Sequence, residues 1–165
     1  MSHLLIAPVL LPALLGALLL LGARNDLRRQ RLLSVTGTAL LLAVAVWLNL
    51  MAADGAIRVY RLGNWAAPFG IVLVLDRLAA LLVGLAAALA LAVQLSAVWT
   101  GWDGRGRHFH ALWQFQMMGV CGAFLTGDAF NLFVFFEVLL IASYGLMIHG
   151  GGRDRLKAGV QYVAY

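Results

Sequence analysis

Charged residues are scarce in this sequence. Only 12% of the 165 residues are charged, whereas soluble domains have about 25%, and 63% are hydrophobic, with a mean hydropathy of +0.91. Several runs approach or exceed about eighteen residues without a charge, which is typical of helices that cross a membrane. A transmembrane barrel would have strands of about ten residues with alternating polarity, and these runs have neither property. The sequence therefore predicts an all-α, polytopic transmembrane helical bundle.

Cysteine and lysine are each represented by one residue. Cys121 lies within a hydrophobic run, which excludes a disulfide framework. Lys157 lies in a predicted loop, so this chain offers no lysine at membrane depth. An acid at membrane depth that works with a basic partner would have to find that partner beyond the end of this chain or on another subunit.

Several signatures of enzymes and binding proteins are also missing. The sequence has no glycine-rich phosphate loop after a strand, no nucleophile elbow and no pair of haem ligands. His108 and His110 have an H-x-H spacing, but they lie in a Gly/Arg loop without a third ligand, so we expect no metal site. The net charge of +5 is typical of basic loops in a membrane protein, and no aromatic-basic interleaving indicates nucleic acid. We expect no enzyme acting alone, no cofactor and no nucleic-acid partner.

The apolar runs predict six helices within a single membrane domain, 1–165. Five of them are long enough to span a bilayer, and the sixth is incomplete. The predicted spans are about 4–22, 32–53, 78–99, 111–126, 129–148 and 156–165. Gly127-Asp128 leaves almost no loop, so the fourth and fifth spans must be antiparallel neighbours. Because the sequence stops partway through the sixth helix, we expect the chain to be part of a longer polypeptide.

Residues 56–75 have a different pattern from the spans. Ile57–Leu62 alternates with period two, Gly63–Pro68 contains turn-forming residues, and Gly70–Leu75 is a short β-branched run. This order predicts a short β-hairpin on the outer membrane surface. An irregular loop that runs into a longer third helix is the alternative that the sequence leaves open.

Basic residues are distributed unequally between the two sets of loops. Nine follow the odd-numbered spans, and only Arg58 and Arg61 lie in the hairpin segment on the other side. Because Lys and Arg are concentrated in cytoplasmic loops, the pattern places loops 24–31, 100–110 and 150–157 in the cytoplasm. The N-terminus and the predicted hairpin are then outside.

Glu137 is the one acid predicted to lie deep in the membrane. It stands near the centre of Ala129–Ile148, whose twelve Leu, Ile, Val and Phe residues together outweigh the insertion cost of about 2.5–3.5 kcal/mol for an ionisable group. Ionisable groups at this depth usually belong to ion pathways or proton relays. We therefore expect Glu137 to be a proton-exchanging carboxylate.

Four other polar residues in the fifth span or directly after it are weaker candidates. Tyr144 follows Glu137 by seven residues and shares its helix face, so it could extend a proton path, although interhelical packing is an equal alternative. His149 complements the helix C-terminus and could pass protons at the cytoplasmic surface. Asn131 and Ser143 lie about a third of a turn around the helix from Glu137 and are weaker still.

The remaining six acids are predicted to have ordinary roles. Asp76 and Asp128 immediately precede the third and fifth spans, where a carboxylate caps a helix N-terminus. The other four are predicted to be solvated in loops: Asp26, Asp54, Asp103 and Asp154.

Two segments resemble a known family of ion transporters. They are GNWAAPFGIVLVLDRLAAL, Gly63–Leu81, and QFQMMGVCGAFLTGDAFNLFVFFEVLLIASYGLMIHGGG, Gln114–Gly152. Both are similar to the D subunit of the Mrp-type multisubunit Na⁺/H⁺ antiporter. That protein is related to the antiporter-like proton-translocating subunits of NADH:quinone oxidoreductase (complex I) and of membrane-bound hydrogenases. The similarity covers almost the whole chain but only the N-terminal part of the family's length.

The resemblance implies a fold, a site and partners. The fold would be a larger helical bundle built on inverted repeats, of which this chain is the beginning. Glu137 would match the family's essential glutamate, whose lysine partner lies on a broken helix beyond this chain. The partners would be other subunits of a membrane complex, protons and Na⁺ or another monovalent cation, in the inner (plasma) membrane of a bacterium.

Two further functions remain open from the sequence. The chain could belong to a proton-pumping subunit of a respiratory oxidoreductase or hydrogenase, because those systems share the same motif. It could also be a structural or assembly subunit, in which Glu137 is a buried interhelical hydrogen-bonding group.

Overall fold

The structure, a computed structural model, describes residues 2–23, 25–65 and 70–164. Residues 66–69 of the predicted turn, Arg24 of the first basic loop and Tyr165 of the predicted sixth helix lie outside the described residues. The described residues form six α-helices and two strands. In chain order these are α1 (Ala7–Leu21), α2 (Leu27–Ala52), β1 (Arg58–Arg61), β2 (Val72–Leu75), α3 (Arg77–Trp99), α4 (Phe109–Leu125), α5 (Ala129–Met147) and α6 (Arg153–Ala164).

Besides α6, which begins at Arg153 and not near residue 156, two helices begin earlier than the sequence predicts. Helix α2 begins at Leu27 and not near residue 32, because the side chain of Asp26 accepts a hydrogen bond from the backbone N–H of Arg29 at 3.1 Å and caps the helix ahead of its arginines. Helix α4 begins at Phe109 and not at residue 111. Both differences bring charged or polar residues into the first helical turn.

Four helices are long and apolar enough to cross a membrane. They are α1 together with the 3₁₀ turn that precedes it, then α2, α3 and α5. Helix α4 has 17 residues, about 26 Å of helix, which is slightly less than the hydrocarbon thickness of a bilayer. Length and composition together make this a multi-pass helical membrane protein.

Helix α4 is the centre of the bundle and packs against α1, α2, α3 and α5. The hairpin and the turn between α4 and α5 lie at one end, which we call the hairpin end. The opposite end carries the first turn of α2, the α3–α4 connection and the start of α6, and we call it the basic end. Helices α1, α3 and α5 run from the hairpin end to the basic end, whereas α2 and α4 run the other way.

The predicted hairpin is present. Strands β1 and β2 pair antiparallel, with Arg58 opposite Leu75 and Arg61 opposite Val72. Leu73 and Leu75 are fully buried, and the backbone N–H of Gly127 donates to the carbonyl of Val72 at 2.8 Å. The alternative of an irregular loop with a longer third helix is therefore wrong.

The two predicted helix caps are confirmed. The side chain of Asp76 accepts from the N–H of Ala79 at 2.7 Å at the start of α3, and Asp128 accepts from the N–H of Asn131 at 2.8 Å at the start of α5. Asn131 also donates from its side chain to Asp128 and to the carbonyl of Gly70, at 2.8 and 3.2 Å. The cap of α5 is thereby tied to the hairpin end.

Close packing of α4 against α5 depends on two glycines of α4. A Cβ atom at Gly119 would lie 2.9 Å from the backbone nitrogen of Leu139, and one at Gly122 would overlap the ring of Phe135. Small residues let membrane helices approach in this way. Gly119 and Gly122 thus allow α4 and α5 to pack closely.

Gly119→Val should loosen this contact in the full-length protein. The added atoms would meet the backbone of Leu139, which cannot move aside like a flexible side chain, so we expect a loss of about 1–3 kcal/mol of stability. Thermal unfolding in detergent measures the effect. Ala92→Leu, at an exposed position of α3, is the size control and should leave the midpoint nearly unchanged; equal midpoints for the two variants would contradict the packing account.

Candidate functional site

Helix α5 holds Glu137 on the side turned away from α4. The contact with α4 includes Phe135, Leu139 and Gly145 of α5. Glu137 is two residues after Phe135, which is about 200° around the helix. Its carboxylate therefore faces outward from the bundle, where it is exposed at the surface of the described chain.

The surface around Glu137 is apolar. The neighbouring exposed side chains on α5 are those of Phe133, Phe136, Leu140 and Ile141. Within the described part of the chain, Glu137 makes no hydrogen bond or ion pair. The face thus combines a large hydrocarbon area with one acid, which suits contact with lipid or with further protein and does not suit open water.

Tyr144, the predicted relay residue, contacts α6. A Cβ atom at Gly159 of α6 would lie 3.0 Å from its ring, and one turn away the hydroxyls of Ser143 and Tyr162 are 3.2 Å apart. These contacts give Tyr144 and Ser143 a packing environment between α5 and α6. A role for Tyr144 in a proton path stays a prediction.

His149 is buried at the basic end. Its side chain is 6% exposed, its Nε2 lies 3.1 Å from the carbonyl oxygen of Trp102, and its ring lies against Phe109 at a centroid distance of 5.2 Å. Arg155 of α6 donates to the backbone carbonyl of His149 at 2.6 Å. The imidazole therefore sits beneath the α3–α4 connection and not at the open surface, and proton exchange at this residue stays a prediction.

A buried polar network at the basic end joins α2, α3, α4 and the short 3₁₀ turn Trp102–Arg105. Its centre is Asp103, which is 0% exposed. Arg31 of α2 donates to Asp103 twice, at 2.6 and 2.8 Å, and Nε2 of His110 lies 3.0 Å from the same carboxylate. The bidentate geometry and the histidine satisfy the carboxylate without water.

The network continues from His110 into the bundle. Nδ1 of His110 is 3.5 Å from Nε2 of Gln94, which is 2.5 Å from the hydroxyl of Ser34. Gln114 donates to the same hydroxyl and to that of Thr38, at 3.0 Å each. Thr38 is eleven residues into α2, so the network reaches about 16 Å from the start of that helix.

The expectation that Asp103 is solvated in a loop is wrong. The short 3₁₀ turn folds Asp103 inward, where Arg31 compensates its charge. The expectation that His110 lies in a loop is also wrong, because α4 begins at Phe109 and turns the imidazole into the bundle. Asp54, in contrast, is more than half exposed, and it pairs with Arg58.

The sequence did contain a signal for this network. Ser34 and Thr38 are four residues apart in α2, and His110 and Gln114 are four residues apart in α4. Polar residues at this spacing share one helix face, and two such faces in apolar helices predict an interhelical contact. The pairing of Asp103 with Arg31, 72 residues away in the chain, had no comparable signal.

Two opposing effects set the pKa of Asp103. Burial alone would raise it, but the hydrogen bonds from Arg31 and then His110, together with their charges, outweigh burial and hold the pKa of Asp103 below its usual range. The carboxylate is therefore ionised whenever the protein is folded near neutral pH.

Known proteins similar to this chain belong to ion-transporting complexes. The D subunit of a probable K⁺/H⁺ antiporter from Rhizobium meliloti is 47% identical over 99% of this chain and 31% of its own length. The D subunit of a Na⁺/H⁺ antiporter from Alkalihalophilus pseudofirmus is 42% identical over 99% of this chain and 33% of its own length. No protein-family model matches the chain.

Two solved structures are also similar to this chain over nearly its whole length. A chain of the Mrp complex from a Dietzia species superposes with a TM-score of 0.86 at 31% identity, over 99% of this chain and 31% of that one. A chain of the membrane-bound sulfane sulfur reductase, an archaeal respiratory membrane complex, superposes with a TM-score of 0.78 at 25% identity, over 99% and 33%.

The fold and the matches define an antiporter-like membrane protein. Over nearly its whole length the chain is similar to the D subunits of cation/proton antiporters and to a chain of the Mrp complex. It spans about a third of the length of the curated relatives it matches.

Asp103→Asn should destabilise the full-length protein by about 2–4 kcal/mol. Breaking a buried ion pair costs about 3–5 kcal/mol. We expect a smaller loss here because the Arg31 side chain is 34% exposed. Asp26→Asn is the matched control, because Asn caps a helix as well as Asp does and only an exposed ion pair with Arg29 is lost. Chemical unfolding of both variants measures the difference, and equal stabilities would contradict the assigned role of Asp103.

The same substitution should flatten the acid limb of the stability profile. Because the pKa of Asp103 is lowered on folding, its contribution is complete above its unfolded pKa of about 3.9 and is lost as the pH falls through the folded value. The Asp103→Asn variant should therefore lose less stability than the wild type as the pH falls below about 4. A parallel loss in both proteins would show that Asp103 does not titrate as described.

Proposed function

We propose that this chain is part of a membrane subunit of a multisubunit monovalent cation (Na⁺)/proton antiporter, in which Glu137 exchanges protons at mid-membrane depth. The observation that carries the proposal is the placement of Glu137 on an outward, apolar face of α5. Glu137 is eight residues after Ala129, about 12 Å along the helix. An acid held there is costly unless its environment changes its protonation state.

Three features of the described chain support this role. The cap of α5 by Asp128 and its close packing on α4 fix the helix, so the carboxylate keeps a defined position. The exposed phenylalanines next to Glu137 exclude water on one side. The described residues provide no cation next to the carboxylate, so a basic partner would come from the rest of the full-length protein or from another subunit.

The relatives' names leave the cation undecided between K⁺ and Na⁺. We propose that the exchanged ion is a monovalent cation, and that Na⁺ is the first candidate. The proposed partners are the other subunits of the complex, protons, the cation and the lipid bilayer. The proposed location is the inner membrane of a bacterium, with the basic end of the bundle in the cytoplasm as the distribution of Lys and Arg predicts.

A respiratory complex is the second candidate. It is favoured by the structural similarity to a chain of the membrane-bound sulfane sulfur reductase. In that setting Glu137 would still move protons, but electron transfer elsewhere in the complex would drive it. The protein itself would carry no enzymatic chemistry in either case.

Glu137→Gln in the full-length protein should abolish cation/proton antiport at every pH tested. The amide keeps the size and polarity of the side chain but cannot bind or release a proton in this range. Antiport is measured in everted membrane vesicles by the recovery of a pH-gradient dye after addition of Na⁺ or K⁺, and native gels measure assembly of the complex.

Asp128→Asn is the matched control. It makes the same acid-to-amide change in the same helix, and Asn retains the helix cap, so we expect at least half of the wild-type antiport. Wild-type antiport by an assembled Glu137→Gln complex would overturn the proposal. Deletion of residues 56–70 that abolishes assembly, combined with a dispensable Glu137, would favour a purely structural role instead.

A further inference from the structure

His110 and its partners form a second buried ionisable site, and the proposed function makes no use of it. The imidazole is 0% exposed in the first turn of α4, between α2, α3 and the turn that carries Asp103. Glu137 lies on the far side of α5, turned away from α4. The two ionisable groups are thus on opposite sides of the α4–α5 contact.

The two ring nitrogens of His110 have different tasks. Nε2 lies 3.0 Å from Asp103, and because an ionised carboxylate only accepts hydrogen bonds, this nitrogen carries a hydrogen. Nδ1 lies 3.5 Å from the amide of Gln94. The charge of the imidazole is therefore decided at Nδ1, opposite Gln94.

The amide of Gln94 can face His110 in two ways. With its nitrogen toward His110 and Ser34, it donates to both, and its buried oxygen has no hydrogen-bond partner among the described residues. After a half-turn of the amide, the oxygen accepts from the Ser34 hydroxyl and from an Nδ1–H of His110. The 2.5 Å contact with Ser34 suits an O–H···O bond, whose usual range is about 2.5–3.0 Å, better than an N–H···O bond.

Burial has the largest effect on the charge of His110 and opposes a positive charge, as do Arg31 from α2 and His149 just after α5. Of the described residues, Asp103 favours a positive charge, and the effects together favour the neutral imidazole. The side chain that α3 places next to His110 is that of Gln94, which carries no charge. With a neutral imidazole the charges of Arg31 and Asp103 cancel, and one added proton leaves the cluster with a charge of +1.

Solution approaches this cluster from the basic end. An open cleft of about 450 Å³ is lined by Gln30 and Gly104, which adjoin Arg31 and Asp103 in the chain. The side chain of Arg31 is itself one-third exposed. The cluster therefore lies next to solution at the basic end, with the Arg31–Asp103 ion pair between the cleft and Nε2 of His110.

From this geometry we propose that His110, held between Asp103 and Gln94, is a proton-binding site separate from Glu137. The proton adds to Nδ1 and converts imidazole to imidazolium, Asp103 stays ionised, and the Gln94 amide turns its oxygen to the new N–H. Release reverses these steps. The use of this proton in transport rests on the proposed function, whereas its binding does not.

The direct test is infrared difference spectroscopy between acidic and alkaline buffer, on the full-length complex with ¹⁵N-labelled histidine rings. The signal of His110 is the part of the wild-type spectrum that His110→Gln removes. We expect it to titrate within the pH range of antiport. Absence of any His110 signal in that range would overturn the proposal.

Gln94 variants test the site with the histidine in place. Gln94→Leu removes the acceptor for Nδ1–H and should move the His110 midpoint at least about one pH unit toward acid, while Gln94→Glu should move it toward alkali. His108→Gln, two residues away and without a capping hydrogen bond, is the control and should leave the midpoint unchanged. If His110→Gln fails to assemble, the His110 signal is instead the histidine band whose midpoint differs between Gln94→Leu and Gln94→Glu. The absence of any band that moves between these two variants would overturn the proposal.

Transport separates this proposal from the proposed function. His110→Gln should shift the pH profile of antiport, whereas His108→Gln should not. If His110 titrates and Glu137→Gln retains full antiport, only the proposed function is overturned. If His110 does not titrate and Glu137→Gln abolishes antiport, only this inference is overturned.

Discussion

The buried carboxylate of Asp103 is the interaction on which the basic end of the bundle depends. It binds Arg31 of α2 and His110 of α4 at the same time, and the turn that carries it follows α3. Three helices are thereby fixed to one charge that has no access to water. Because an ionised group in such a place is stable only with complete hydrogen bonding, the register of α2 against α4 is set by this residue as much as by apolar packing.

Glu137 stands in the opposite situation. Asp103 has its partners within the described chain, whereas Glu137 faces an apolar surface and has none there. A carboxylate with fixed cationic partners keeps one charge state, which makes it a structural element. A carboxylate whose partner lies elsewhere can change its charge state when that partner moves, which is what a transporter requires.

The sequence predicts the helices and the hairpin well, because apolar length and period-two alternation are local properties. The caps by Asp76 and Asp128 were predictable for the same reason, since each immediately precedes an apolar run. Asp103 was not predictable, because its Gly/Arg neighbours are typical of a solvated loop and its partner Arg31 is remote in the chain. The sequence could locate Glu137 along its helix, but only the packing of Phe135 on α4 shows which way the acid faces.

The central claim is that Glu137 takes up and releases a proton inside the membrane. The most direct measurement is the infrared C=O stretch of protonated carboxyl groups, followed across pH in the full-length complex. The account predicts a titrating band in the wild type that is absent from Glu137→Gln and present in Asp128→Asn. An identical titrating band in the wild type and in Glu137→Gln would contradict it.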